Sequence, residues 1–200
     1  HLKLTGQLIF NGKPSQYTRK VFNFEDGPQL IFNDVRKLGW FRKTSNSSIQ
    51  LIEKQFGPFG PEAPEIDLKT LRGILRSHPN TKIKPLLMNQ KFIAGIGNIY
   101  SDEILFNARI NPLRQVKTLN DKEIQRIHQN IKRILKKAIY YRGTTEKDYR
   151  DVCGREGNYL RYIKIYNREG KKCSRCGTII KRVKIGGRSA HFCPVCQPIQ

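Results

Sequence analysis

The chain has 200 residues, with 38 Lys or Arg against 16 Asp or Glu, for a formal net charge of +22. An apolar content of 38% is enough to build a core, which excludes a disordered basic tail. No apolar run is long enough to span a bilayer, and neither a lipidation motif nor a secretory signal is present, so the expected location is the cytoplasm, in association with the nucleoid.

The charge is unevenly spread. The first 80 residues carry 12 basic and 7 acidic side chains, and the rest carry 26 and 9. A polyanion is the natural partner, and counterion release would make its binding steeply salt dependent.

His1 to Phe10 alternates loosely and reaches Asn11-Gly12, a hairpin signal. Because His1, not Met, opens directly into a strand-like run, the natural beginning of the protein is expected upstream. Tyr17 to Phe24 alternates again, and Glu25-Asp26-Gly27 turns it into Gln29 to Asn33. The expectation is at least three antiparallel strands belonging to a sandwich or barrel.

Asp34-Val35-Arg36-Lys37-Leu38-Gly39 reads as a loop. On an extended backbone Arg36 and Leu38 would point the same way, which suits a wedge pushed into a base stack. A surface arginine beside a core leucine would give the same pattern. Phe56 to Pro64, rich in Gly and Pro and without helical or strand period, marks the change from strands to helices, and 57–66 is read as a linker.

Asp67 is expected to cap a helix through Arg76, and Lys82 to Gln90 to form a short one. Next comes the turn that organises the chain, Ala94-Gly95-Ile96-Gly97-Asn98. Its glycines let backbones approach closely, and Asn98 is expected to cap a helix from Ile99 to about Asn107. Such a helix start suits a phosphate, although two glycines could equally serve close helix packing. Asn120 with Glu123 forms a capping box for a long helix whose apolar face is Ile124, Ile127, Ile131, Ile134, Leu135 and Ala138. Gly143 is its expected end. Tyr162, Lys164 and Tyr166 then alternate, and the isolated Cys153 reads as inert packing.

Cys173-x-x-Cys176 and Cys193-x-x-Cys196, with 16 residues between, have the most specific spacing in the chain. Two such knuckles complete a closed tetrahedral site for one structural zinc ion, which supplies folding energy to a segment too short for its own core. Two disulfides or a redox dithiol are the competing readings, disfavoured by the paired spacing and the lack of a secretory signal. The segments on either side of Ile185-Gly186-Gly187-Arg188 form a hairpin, placing Arg188 at a zinc-braced tip, where it suits a phosphate or a minor groove.

Taken together, the segments His1 to Gly6, Asp34 to Gly39, Phe59 to Glu62, Ala94 to Tyr100, Tyr166 to Gly170 and Gly186 to Arg188 resemble the formamidopyrimidine-DNA glycosylase family of base-excision repair enzymes, with its endonuclease VIII branch. The resemblance implies an α+β fold of several domains: a partial antiparallel β-sandwich over 1–56, the 57–66 linker, a helix-two-turn-helix domain over 67–165 and a C-terminal zinc-finger β-hairpin over 166–200. It implies a monomer that binds double-stranded DNA containing oxidised or abasic positions, with no membrane partner. Members of the family flip an oxidised purine out of the duplex, cleave its glycosidic bond and cut the abasic strand.

Carried over residue by residue, Asn98 and Lys84 are phosphate binders. Arg188 grips phosphate beside the lesion and assists elimination, while Arg36, Leu4 and Leu38 fill the hole left by the base. His1, Tyr17 and Asn80 complete the implied DNA contacts. The chain departs from the family with leucines in place of a usual methionine at Leu4 and a usual aromatic at Leu38. Tyr17 stands where histidine is common, and Asn80 where a basic residue is common.

The family's nucleophile is an N-terminal proline amine, followed by a glutamate acid and a lysine on a later strand, none of them within these 200 residues. The expectation is therefore a bifunctional glycosylase and lyase for the parent, and DNA binding with little or no glycosylase activity for this chain alone. A non-catalytic zinc-ribbon DNA-binding protein on the same scaffold is the alternative.

Overall fold

A computed structural model describes residues 1–3, 5–49, 57–146 and 149–199. It divides into two compact units, His1–Ile52 with Ala138–Tyr162, and Glu53–Lys137 with Ile163–Gln200. The expected wedge residue Leu4 lies outside the described residues, as does Phe56 at the start of the Gly/Pro-rich stretch.

In the first unit β1 (Gly6–Phe10), β2 (Thr18–Asn23) and β3 (Gln29–Asp34) form an antiparallel sheet in the order β1-β3-β2. Ile31 of β3 lies opposite both Ile9 and Val21, so the central strand buries Ile31 and Phe32 while its neighbours are half exposed. Asn11-Gly12 does not join β1 to β2 as a hairpin, which corrects the expectation from sequence. Asn11 turns the chain aside at φ 50°, its N–H donating to Gln29 O at 2.8 Å and its Oδ1 accepting from Gln29 N–H at 3.0 Å. The dipeptide fixes the local backbone but does not choose the strand's partner. The hairpin is β2–β3, closed around Gly27 at φ 91° with Phe24 N–H donating to Pro28 O.

The second unit holds α1 (Leu68–Arg76), α2 (Ile83–Leu87), α3 (Asn98–Ala108), most of α4 (Asp121–Tyr140) and the hairpin β4 (Lys181–Ile185) and β5 (Arg188–Phe192). Asp67 caps α1 by accepting from Thr70 N–H at 2.9 Å. Asn120 and Glu123 exchange their side-chain and backbone bonds at 2.9 Å each, and the expected apolar face of α4 is buried. Gly143, at φ 82°, closes that helix with an N–H to Ala138 O at 2.8 Å.

One reading changes here. The stretch expected to be a linker is tied down in its second half: Gly60 N–H donates to Gln90 O at 2.8 Å, and Ala63 N–H to Ala94 O at 2.9 Å. A Cβ on Gly60 would meet Phe92 C and O at 2.2 Å, so this glycine permits close approach rather than flexibility. The alternation at Tyr162, Lys164 and Tyr166 is not a strand. Tyr159–Tyr162 is a 3-10 turn, and the N–H groups of Lys164, Ile165 and Tyr166 converge on the Glu103 carboxylate at 2.8–3.1 Å.

Helix α3 is central to its unit. Ser101, Asp102, Glu103, Ile104, Leu105, Phe106 and Ala108 are all buried, so no face of it is left for solvent over that stretch. Its Phe106 joins Ile165, Cys173, Ile180 and Cys193 in a core under the cysteine knuckles. Among the described residues no helix is long and apolar enough to cross a membrane.

Candidate nucleic-acid interface

The glycine turn is built by Gln90. Its Oε1 accepts from Gly95 N–H at 2.9 Å, and its Nε2 donates to Met88 O and Ile96 O at 2.9 and 2.8 Å. Gly95, at φ 91°, occupies backbone space that side chains rarely adopt. The turn delivers α3, and here the sequence expectation shifts by one residue. Gly97 is the N-cap, with no side chain capping the helix, and Asn98 is its first residue. The helix start thus keeps its N–H groups and positive dipole end without an acidic side chain in the first turn. Among the described residues Asn98 Oδ1 is buried without a hydrogen-bond partner; being an acceptor it calls for a donor, while the Nδ2 of the same amide is the group able to donate to an anion.

The zinc-finger hairpin has the two-residue turn Gly186-Gly187 at φ 56° and 75°, the conformation that joins tightly paired strands. Ile185 pairs with Arg188, which is exposed at the tip. At the base, the Sγ atoms of Cys173, Cys176, Cys193 and Cys196 lie within 4.8 Å of one another. Cys173 and Cys196 are 4.0 Å apart and Cys176 and Cys193 3.4 Å, close to the roughly 3.8 Å that a tetrahedral site with Zn–S bonds of about 2.3 Å requires. Arg175 N–H and Cys196 N–H each point at a cysteine sulfur at 3.4 Å, as thiolate ligands need.

The thiols differ in charge preference. Hydrogen bonding at Thr178 brings Cys176 down to about 6, whereas burial pushes Cys196 up to about 12, so a cation is needed to ionise these two together. A zinc tetrathiolate carries two net negative charges, and Arg109, Arg126 and Arg175 line the cleft beside Cys176 and Cys196. The residues fit one structural zinc ion, which would be held by four sulfurs with no position left for substrate.

Lys84, expected at a phosphate, is fully buried. Its Nζ donates to Asp102 Oδ1 at 2.5 Å and to Ser189 O at 2.7 Å. Burial pulls its ammonium below the ordinary lysine range, with Asp102 opposing that shift. Asp102 Oδ2 also receives His191 N–H at 3.0 Å and lies 2.9 Å from His191 Nδ1. Sequence reading missed Asp102, Glu103 and His191. The available signal was the pair of adjacent acids inside an otherwise apolar helix of a strongly basic chain, where acids have no solvent face to occupy.

In the first unit, Arg36 and Leu38 are exposed on the loop after β3. The loop is not extended, as the wedge reading assumed: Lys37 sits at φ 56°, so alternation no longer aligns its neighbours. Asp34, also missed, shapes it instead. Its carboxylate accepts from Thr5 Oγ1 at 2.5 Å, Arg36 N–H at 3.2 Å and Gly39 N–H at 2.6 Å. His1 is exposed and its ring lies 6.4 Å from that of Trp40, and Tyr17 is exposed beside β2. In the second unit, Asn80 Oδ1 accepts from Lys117 Nζ at 3.1 Å, which puts a cation next to the position where the family resemblance expected one.

Residues 59–149 match the formamidopyrimidine-DNA glycosylase H2TH domain, and residues 170–199 match the zinc finger found in FPG and IleRS. The chain is 41% identical over its whole length to a formamidopyrimidine-DNA glycosylase of Pelotomaculum thermopropionicum, 74% of which it covers. It is 36% identical to the enzyme of that name from Streptococcus mutans, covering 73% of it with 98% of its own length. Among solved structures it is similar to Lactococcus lactis Fpg in complex with DNA containing an abasic site, with a TM-score of 0.86 at 35% identity, covering all of this chain and 74% of that one. It is equally similar to MutM in complex with DNA containing carbocyclic 8-oxo-G, with a TM-score of 0.86 at 34% identity over all of this chain and 73% of that one. A helix start left open by its glycine turn, a four-cysteine hairpin and these relatives agree, and the chain belongs to the formamidopyrimidine-DNA glycosylase family.

Proposed function

We propose that this chain holds damaged duplex DNA for base-excision repair, serving a bifunctional glycosylase and lyase that removes oxidised purines such as 8-oxoguanine and formamidopyrimidines. The observation that carries the reading is the uncapped start of α3, whose N–H groups meet no acidic side chain in the first turn, in a chain of net charge +22. A phosphate there would meet backbone N–H groups, the helix dipole and, as a further donor, the Asn98 Nδ2.

Around it the other residues take distinct roles. Arg188 presents a guanidinium to a phosphate and stabilises charge as the strand is cut. Arg36 and Leu38, with Leu4, would occupy the space vacated by the extruded base, the arginine facing the orphaned partner. Tyr17, His1 and Asn80, the last through Lys117, add contacts of lower specificity. Lys84 enters as support for the finger, since its ammonium is committed to Asp102 and Ser189. The domain division at 57–66 and 166 is kept as the functional arrangement: a base-reading sheet domain, a phosphate-binding helical domain and a finger. The glycosidic chemistry requires an amine that attacks the sugar C1′ as the glycosidic bond breaks and the base leaves with a proton from an acid; opening of the sugar ring then gives an iminium, which acidifies the C2′ proton for elimination of the 3′ phosphate.

Supporting structures are those of relatives holding abasic and formamidopyrimidine-containing DNA. The test is a titration of 25-mer-scale duplexes with and without an abasic site, together with borohydride trapping. Tighter binding of the abasic duplex by about tenfold or more supports lesion recognition; equal affinity for both duplexes overturns it. A trapped adduct on a chain carrying the family's proline, and none on this chain, supports the lyase assignment. Tight abasic binding with no adduct in either case overturns that assignment in favour of the non-catalytic binder.

A further inference from the structure

We propose that Asp102, acting with Lys84, is a positioning residue that fixes Arg188 at a set spacing from Asn98, so that the finger and the helix start grip neighbouring phosphates as one unit. The inference rests on the DNA-binding reading above.

The geometry leads there through covalent neighbours. Asn98 and Asp102 are one helical turn apart on α3, and so share a face. Ser189 and His191 are two apart on β5, on one side of the strand, and Ser189 directly follows Arg188. Asp102 takes the N–H of His191, and Lys84 bridges from Asp102 to the carbonyl of Ser189. Strand β5 is therefore pinned to α3 at two successive inward positions, one residue from the finger arginine.

Burial sharpens the argument. Lys84, Asp102 and His191 are each no more than 4% exposed. An ion pair so placed contributes little net stability compared with an apolar pair of similar size, but it admits only one alignment of its partners. A purely apolar contact between α3 and β5 would let the hairpin slide. Three directional bonds to one carboxylate do not.

The experiment is a double-mutant cycle on affinity for abasic duplex, using the intact 200-residue chain loaded with zinc. Arg188→Ala and Asp102→Asn are each expected to weaken binding about tenfold, and the double variant to be no weaker than the worse single one. Arg36→Ala combined with Asp102→Asn should instead multiply, because Arg36 stands on a different loop; general loosening of the fold would give the same pattern with both arginines. Zinc content and near-ultraviolet circular dichroism should stay as in the unmutated chain. Should Asp102→Asn fold poorly, the paired variant Lys84→Met with Asp102→Asn leaves no buried charge alone and is put through the same cycle.

Multiplicative losses between Asp102 and Arg188 overturn the proposal while leaving the DNA-binding reading intact. Failure of the unmutated chain to bind duplex DNA overturns both.

Discussion

Gly39 donates its N–H to Asp34 Oδ2 at 2.6 Å, closing a six-residue loop that carries Arg36 and Leu38 into solvent. The glycine is required on steric grounds, since a Cβ there would meet Phe32 Cζ at 2.9 Å, Asp34 Oδ2 at 3.1 Å and His1 O at 3.1 Å. The aspartate is required because donors from Thr5, Arg36, Leu38 and Gly39 need one acceptor able to take them all. An Asp-x-Arg-x-x-Gly pattern is thus a loop specification: its ends build the platform and its middle presents the reading residues.

The loop should respond to acid in a defined direction. Burial works against the charge of Asp34, but the bonds from Thr5, Gly39, Arg36 and Leu38 prevail and hold its carboxyl below the usual 3.8. With the folded value depressed, the stabilisation is fully present above about pH 4 and is lost as pH falls through the folded value. Trp40, the single tryptophan and the residue after Gly39, reports on the loop. Its emission is expected to be flat from pH 8 to about 5 and to change below about 4. Asp34→Asn should show the acid spectrum already at pH 7, and an unchanged spectrum in that variant would remove Asp34 as the organiser.

Asn98 and Arg188 should separate in salt dependence. Arg188→Ala removes a cation and should reduce the slope of log affinity against log salt by about 1. Asn98→Ala removes a neutral donor, so affinity should drop roughly tenfold or more with the slope unchanged. Because no side chain caps α3, Asn98→Ala should leave the melting temperature within about 1 °C. Titrations of abasic duplex at four salt concentrations, with a melt on each variant, decide it. A lost slope for Asn98→Ala or a large fall in melting temperature would place its role elsewhere.

Zinc removal should unfold one region and spare the other. The core under the knuckles is small, Phe106, Ile165, Ile180 and two of the cysteines themselves, so without the ion the finger has little to hold it. Chelation is expected to release one zinc per chain and make residues 170–199 protease sensitive, with the amide protection of β3 retained. Readdition of zinc should restore DNA affinity. Loss of protection in β3 at the same chelator concentration would mean that the ion supports the whole fold.

Legibility in the sequence followed the distance between partners. Asn120 with Glu123, Asp67 with Thr70, and the Gly186-Gly187 turn are contacts within a few residues, and each was readable from composition and spacing. The four cysteines were readable because their chemistry has few alternatives. Asp102 binds Lys84 across 18 positions and His191 across 89, so its only local mark is its place beside Glu103 in an otherwise apolar helix, which names neither partner. Where a local rule was trusted too far, a long-range contact overrode it. Asn11-Gly12 turned the chain without joining the expected strands, and the Arg36 loop lost its extended form to the bonds that Asp34 accepts from Arg36 and Gly39.

The most demanding case is Glu123, whose one carboxylate serves two structures. It closes the capping box of α4 by accepting from Asn120 N–H, and it meets the Arg114 guanidinium twice, at 2.6 and 3.1 Å, with both side chains nearly buried. Burial disfavours its charge, yet Arg114, Asn120 N–H and Arg126 together hold its carboxyl below the ordinary glutamate value. Arg114→Ala leaves that charge buried without its main partner and should cost about 3–5 kcal/mol. Arg114→Lys should recover only part, because an ammonium cannot match the two-pronged fit. With Arg114 absent the carboxyl rises, so protonation relieves some of the strain, and the gap between the variant and the unmutated chain should narrow as pH falls from 7 to about 4.5. Replacing both partners, Arg114→Met with Glu123→Leu, removes the buried charges together and should cost less than Arg114→Ala alone, with about 1 kcal/mol remaining for the lost cap. Urea unfolding of the four proteins at both pH values makes the comparison. A gap that is constant with pH, or a double variant weaker than Arg114→Ala, would show that packing around Arg114, and not its hold on the Glu123 charge, stabilises the start of the long helix.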